Sequence, residues 1–550
     1  MSILQINTRV RRLFQYLDDF EKGRIQIPPF QRDFVWDNQK KLDLLDSLKR
    51  GFPIGSVLFW QSQGEDLFLN DDIQKIGSYL IRRDGNEFYY ILDGYQRLST
   101  LFGCFMDPSK TYLDRDEDNW KKNFDIIYNL HEDRFEFNRK FSSDLQIYQI
   151  PLYHFIDGEK FYDFQTRLVH SYVDETQKKD YIKLYKNFGS KISSYDIPSI
   201  DLVGGDLKDA VEIFSRLNSR GVKISDDWKV SALSFNRERQ FRFGSEIDAL
   251  FVRLEQYNFF TSKEERINKR DLILKCVINS FGKIYFDISN VSNDLEALAL
   301  RSDFIDISLE TFSSIERAVK FLYEEVMVLR GSLLPYNNHL VFLTEFFNRV
   351  KSPTREQLDK LRIWFWKTTY SNYFTIYNLA KQRSAYYHFL QFIDDENVDP
   401  VFYDKNRQFE TADFPKKISM NSVRAKALAL FMLNFSVRGV NILTSQSIDS
   451  DTQLRFKDLK IFRRIDNASV DNIVENTLII LNPSFETLKF EKQNRVLLSS
   501  QLVDSNISRF LISSEMLNNI SQEDFLERRL SLIKSQEREF VEQLGISYAV

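Results

Sequence analysis

The residues of this 550-residue chain best suited to chemistry stand in one short run, YYILDGYQRLSTLFGCF, at 89–105. Its first part is β-prone and ends at Leu92. Asp93-Gly94 predicts a sharp turn, and Leu98, Leu101, Phe102 and Phe105 then recur at helical spacing. A strand, a tight turn and a helix start together make an anion site. The first helical N–H groups lack intrahelical partners, and the helix dipole favours negative charge there. Gly94 lets a phosphate approach the backbone closely. Arg97 follows one turn in, with a planar fork that can grip two phosphate oxygens. Gln96 can orient a water or a base edge. Asp93 can hold Mg²⁺ through water, or simply cap the helix. An ordinary capped helix with a solvent-facing arginine has the same local pattern.

Two further motifs carry polar groups at defined places. In IQIPPFQRDFVW, residues 25–36, two prolines hold the chain extended, so Gln31 and Arg32 stand side by side before Trp36. A Gln-Arg pair on a rigid segment suits a phosphorylated ligand; a surface salt-bridge arginine reads the same way. In FSRLNSRGVKIS, residues 214–225, Asn218 to Gly221 signals a turn after a helical stretch, and alone reads as a loop.

The elements that must position these motifs divide the chain into three expected domains. Residues 1–235 mix strand and helix signals, with extended segments at 24–36, 54–60 and 88–92, a helix at 38–51, and a hairpin plus a strand within 124–152. Residues 236–405 are dominated by helical periodicity, as in Ile315, Val319, Leu322, Val326 and Leu329. Residues 406–550 open on an apolar helix at 422–435. They close on another at 522–544, with Ser521 and Asp524 as its capping box. The expected class is α+β.

Hydrophobic residues at 43% allow sizeable cores, and charged residues at 28% make an ordinary surface. A net charge of −4 confines any nucleic-acid contact to a local patch. Cys104 and Cys276 offer neither a disulfide framework nor a zinc site and fit a reducing cytoplasm. No apolar signal core and no 18-residue apolar run is present, so neither secretion nor a membrane span is expected.

Taken in order, IPPFQRDFVW, FPIGSVLFW at 52–60, ILDGYQRLSTL and FSRLNSRGVKIS resemble the N-terminal domain of GmrS-type proteins. The resemblance covers roughly residues 8–235 and rests on four motifs in register. It implies a ParB/sulfiredoxin-like fold and nucleotide binding and hydrolysis, an NTP with Mg²⁺, within modification-dependent restriction and anti-phage systems. Carried over residue by residue, it implies catalytic roles for Asp93 and Gln96. It assigns nucleotide or phosphate binding to Gln31, Arg32, Gly94, Arg97, Asn218 and Gly221. The usual pattern is Asp-Gly-Gln-Gln-Arg; here Tyr95 replaces the first Gln, which bears on the nucleotide and the rate more than on the phosphate grip.

Further on, RAKALALFMLNFSVRG, FKDLKIFRRI and VDNIVENTLIILNPS, followed by the last helix, resemble a GmrD-type His-Me finger (HNH-like) nuclease domain over about 406–550. In such nucleases a histidine activates water beside a metal. The matching segment here is Leu459 to Arg463, where the Ile-Phe pair survives and the histidines and proline do not; Asn476 matches a later asparagine. The chain's histidines are His131, His154, His170, His339 and His388, so none follows residue 388. Leu459 cannot take a proton, and Lys460 needs a strongly lowered pKa to do so. The expectation is a degenerate nuclease domain without metal ligands. Lys457, Lys460, Arg463 and Arg464 could meet nucleic acid or form a solvated basic surface. Two readings stay open: an NTP hydrolase, or a nucleotide-gated sensor or scaffold, as homo-oligomer or beside a separate effector subunit.

Overall fold

The computed structural model describes residues 4–28, 31, 34–61, 75–81, 88–138, 145–205, 209–210, 212–213, 230–231, 233–236, 238–239, 241–284, 291–404, 408–444, 459–462, 473–481, 507–517 and 521–549. They fall into two compact units, Met1–Gly244 and Ser245–Val550. The fold is mixed α+β, as the sequence pattern implies. No helix among the described residues is long and apolar enough to cross a membrane.

The first unit is built on a five-stranded mixed sheet. Its strands are β1 (Gln5–Arg12), β2 (Ile25–Gln26), β3 (Val57–Gln61), β6 (Tyr89–Asp93) and β10 (Asp196–Val203), in the order β1-β10-β3-β6-β2. β10 runs parallel to β3 and β2 parallel to β6, whereas β1 and β6 run antiparallel to their neighbours β10 and β3. Alternation puts Val57, Phe59, Ile91 and Ile197 into one core, with helices α1 (Leu13–Glu21), α2 (Asn38–Arg50) and α3 (Tyr95–Phe105). Leu58, Trp60, Tyr90, Leu92 and Leu202 form a second cluster on the opposite face.

Smaller elements complete this unit. The hairpin β4 (Lys75–Ile76) and β5 (Tyr79–Leu80) packs on α3. After α4 (Glu117–Asn123), β7 (Ile126–Asn129) pairs antiparallel with β8 (Arg134–Phe137) and β9 (Gln149–Pro151), the expected hairpin and following strand. Helices α5 (Gly158–Val169) and α6 (Glu175–Ser193) lead into β10. Among the described residues of the expected extended run 24–36 the only strand is Ile25–Gln26; Pro28 cannot donate to a ladder, and the Gln31 N–H donates to Pro28 O at 2.9 Å.

The second unit is mainly helical. In the helix Phe304–Glu324 the expected stripe Ile315, Val319 and Leu322 is buried. Val326 and Leu329 are buried too, but outside the helix: it ends at Glu324, and Met327 takes a φ of 60°. The apolar helix is Val423–Arg438 and the last is Gln522–Gln543, with Ser521 accepting from the Asp524 N–H at 3.2 Å. Between them β11 (Leu459–Phe462) pairs antiparallel with β12 (Leu478–Leu481).

Candidate functional site

Register brings the first two motifs and the 52–60 segment to one end of the sheet. Leu58 pairs with Asp93, so the exposed residues before β3 lie beside the Asp93-Gly94 turn. β2 points the same way as β6, so the chain leaving Gln26 for Gln31 heads to that end as well. Gly94, not Asp93, is the N-cap of α3, with a φ of 95° and no side-chain cap. A Cβ there would meet Val57 Cγ1 at 3.1 Å, so this turn needs glycine for both conformation and space.

Helix α3 is a central element rather than an amphipathic one: among its residues only Arg97 is not buried. Small residues allow the close packing. Gly77 has a φ of 53°, and a Cβ on it would lie 2.2 Å from Gly103 N; the Gly77 N–H donates to Ser99 Oγ at 2.9 Å. Tyr95 fills the space beside this hairpin, its ring 7% exposed and its hydroxyl donating to Lys75 O at 3.1 Å. The departure from the Asp-Gly-Gln-Gln-Arg pattern thus has a packing role here.

Gln96 and Arg97 reach in different directions and tie two distant segments to the helix. Gln96 is 8% exposed, and its Oε1 accepts from Val35 N–H at 2.9 Å and Trp36 N–H at 3.2 Å. Arg97 donates through Nη1 to Ile54 O at 2.6 Å and through Nη2 to Ser56 O at 2.9 Å. Nη2 also lies 3.1 Å from the Asp93 carboxylate. Between the two carbonyls, Gly55 has a φ of 85°, and a Cβ on it would sit 2.4 Å from Arg97 Nη1. The loop 53–56 therefore closes over the guanidinium. Arg97 keeps a side-chain exposure of 19% and Asp93 one of 44%, so both stay within reach of solvent.

The segment held by Gln96 is fixed at four successive residues. The Phe34 ring lies 5.0 Å from that of Phe124, Val35 and Trp36 bind Gln96, and Asp37 caps α2 by accepting from Lys40 N–H. Lys41, on α2, completes the hold. Its ammonium is fully buried, donates to Asn38 Oδ1 at 3.2 Å and Asn123 Oδ1 at 3.0 Å, and lies 5.4–5.6 Å from the Phe34, Phe124 and Phe137 rings. Among the described residues no carboxylate is within ion-pair distance of it. Burial pushes its pKa down to about 8, against weaker upward pulls from Cys104 and Asp37. Sequence reading passes over Lys41, although a signal existed: it stands on the apolar stripe of α2 with Leu44, Leu45 and Leu48. Gly55 and the backbone N–H groups of Val35 and Trp36 are passed over too, the latter without any signal.

Of the expected site residues, Gln31, Asp93, Gly94, Gln96 and Arg97 belong to this end of the sheet. Arg32, Asn218 and Gly221 lie outside the described residues, as do Lys457, Arg463 and Arg464; Lys460 is placed in β11, without a described side chain. Asn476 is fully buried in the short turn Val474–Asn476. No group of three or more His, Cys, Asp or Glu that could hold a metal occurs among the described residues. His339 is sealed in the core, its Nε2 2.9 Å from Thr368 Oγ1 and its pKa pushed by burial to about 3, so it is not placed to activate a solvent water.

The site is thus a strand–turn–helix whose Gln and Arg brace the two neighbouring segments, within an α+β unit. Residues 13–235 match the family described as GmrSD restriction endonuclease, N-terminal domain, which supports a GmrS-type likeness for this region. The chain is also similar to an uncharacterised protein of Methanocaldococcus jannaschii, 19% identical over an alignment 574 positions long that covers 94% of this chain and 91% of that protein.

Proposed function

We propose that the first unit binds a nucleoside triphosphate with Mg²⁺ at this end of the sheet, and that the chain is the nucleotide-responsive part of a restriction or anti-phage system. The observation that carries the reading is the convergence, through Gln96 and Arg97, of residues 35–36 and 54–56 on the Asp93-Gly94 turn and the start of α3. Phosphate oxygens would meet the helix N-terminus, and Arg97 would exchange a carbonyl contact for a stronger charge-assisted one. Asp93 is exposed enough to hold Mg²⁺ through water. Gln31 and Arg32, with Asn218 and Gly221, would supply the remaining grip in a ParB/sulfiredoxin-like arrangement.

One observation favours binding over turnover. The Gln96 carbonyl oxygen already serves two backbone N–H groups, so it is not available to aim a water. The reading we adopt is a nucleotide-gated sensor with slow hydrolysis at most, acting with an effector subunit or a second copy of itself. Residues 406–550 fit it as a degenerate His-Me finger domain: no histidine follows His388, and the matching Leu459 opens β11. Any contact with DNA would use Lys457, Lys460, Arg463 and Arg464. Phosphate release with each of the four NTPs and Mg²⁺, run beside plasmid cleavage with Mg²⁺ or Mn²⁺, tests this. Little release and no cleavage are expected. Rapid release would restore the hydrolase reading, and cleavage that tracks the protein through purification would overturn the inactive nuclease domain.

A further inference from the structure

The buried face of α2 carries a charged side chain, Lys41, among Leu44, Leu45 and Leu48. Its ammonium donates to Asn123 Oδ1 at 3.0 Å, at the end of α4. The Asn123 amide is aimed by its own Nδ2, which donates to Asn119 Oδ1 at 2.6 Å. The adjoining Phe124 ring stands against Gly103 of α3, where an added Cβ would lie 2.6 Å from it, and Trp120 Nε1 donates to Gly103 O at 2.7 Å. Helix α4 is thus fixed on α3. Helix α3 in turn holds Val35 and Trp36 through Gln96, and the Phe34 ring lies 5.4 Å from the ammonium. Lys41 closes this circuit of residues 34–36, α4 and α3.

A charge is a costly filler for such a space. The rings of Phe34, Phe124 and Phe137 all lie within 5.6 Å of the ammonium, and a methionine would pack among them with no charge to desolvate. What the ammonium adds is direction. A hydrogen bond to a fixed amide oxygen and a cation over a ring face set one relative placement, which apolar contact does not. We infer that Lys41 is a positioning residue of the nucleotide site proposed above, and the inference rests on that reading: its charge fixes residues 34–36 against α4, so that Val35 and Trp36 meet Gln96. Gln31 and Arg32 lie just upstream, so the hold on Phe34 governs where their side chains enter the site.

The titratable groups facing the ammonium are Asp37, before its own helix, and Cys104 on α3; α4 and β8 present Asn123, Phe124 and Phe137. In the full chain at pH 7, Lys41→Met should be no less stable to urea than the wild type. It should nevertheless exchange the amides of Val35 and Trp36 faster and bind Mg–NTP roughly two- to ten-fold more weakly. Wild-type affinity should fall towards that of the variant as pH rises through about 8, while the variant stays flat. Asn123→Asp keeps an acceptor in place and adds a charge that favours the ammonium. It should keep wild-type exchange and move the fall in affinity to higher pH. Four results would overturn the inference: unchanged exchange in Lys41→Met, equal affinity, loss of stability and affinity together, or a pH profile that Asn123→Asp does not move. A wild type that binds no nucleotide would sink the underlying reading and the inference with it, whereas any of the four beside wild-type binding sinks the inference alone.

Discussion

Arg97 and Arg529 both bind backbone carbonyls, to different ends. Arg97 holds Ile54 O and Ser56 O at an exposed loop, with a carboxylate beside it and part of its own surface in water. Arg529, on the last helix, is fully buried and donates to the carbonyls of Val474, Glu475, Thr477 and Phe510. Burial pushes its pKa down to about 9. Nearby in sequence, Glu537 is fully buried and paired with Arg424 through two 2.7 Å contacts. The Tyr370 and Tyr548 hydroxyls each donate to Glu537 at 2.8 Å. Arg529 and Glu537 serve packing, whereas Arg97 keeps part of its surface open to solvent. Donor geometry alone does not separate the two uses; exposure does.

The contrast is sharpest in stability. Removing one partner of a buried pair strands the other charge, so Arg424→Ala should cost about 3–5 kcal/mol. Urea unfolding of the full chain measures this; a loss below about 1 kcal/mol would mean that water reaches Glu537. Arg97→Ala frees carbonyls that solvent can satisfy, so its cost should stay near 1 kcal/mol. A loss as large as that at Arg424 would erase the distinction between the two arginines.

A pH-dependent effect belongs to Lys41, which the first unit does bury. Its folded pKa of about 8 lies below the ordinary 10.5. Between those values the unfolded chain binds more protons, so this group raises stability as pH rises from about 8 towards 10.5. In Lys41→Met that contribution should vanish, and the two unfolding-free-energy curves should differ in slope over this window. Parallel curves would place the ammonium in water instead of among the Phe34, Phe124 and Phe137 rings.

What was legible in the sequence was local. The β-run, Asp-Gly turn and apolar periodicity at 89–105 specify a strand, a turn and a helix within a few residues, and the structure has them as β6, Gly94 and α3. The Ser521 cap was legible for the same reason. The end of the helix at Glu324 was not, since the apolar spacing runs on through Val326 and Leu329 and the break depends on the backbone at Met327. The brace itself was also hidden. Gln96 binds backbone N–H groups sixty positions away and Arg97 binds carbonyls about forty away, and peptide groups carry no sequence signature. Side-chain type named the donors and acceptors; only tertiary structure named their partners.

The central claim is that this brace opens onto a phosphate site. Isothermal titration of the full chain with each Mg–NTP, beside Arg97→Ala, tests it most directly. The account predicts saturable binding of at least one nucleotide to the wild type. In the variant, loss of a charge-assisted contact of about 1.5–3 kcal/mol should weaken affinity roughly ten- to hundred-fold. Equal affinity in both proteins, or no binding of any nucleotide by the wild type, would contradict it.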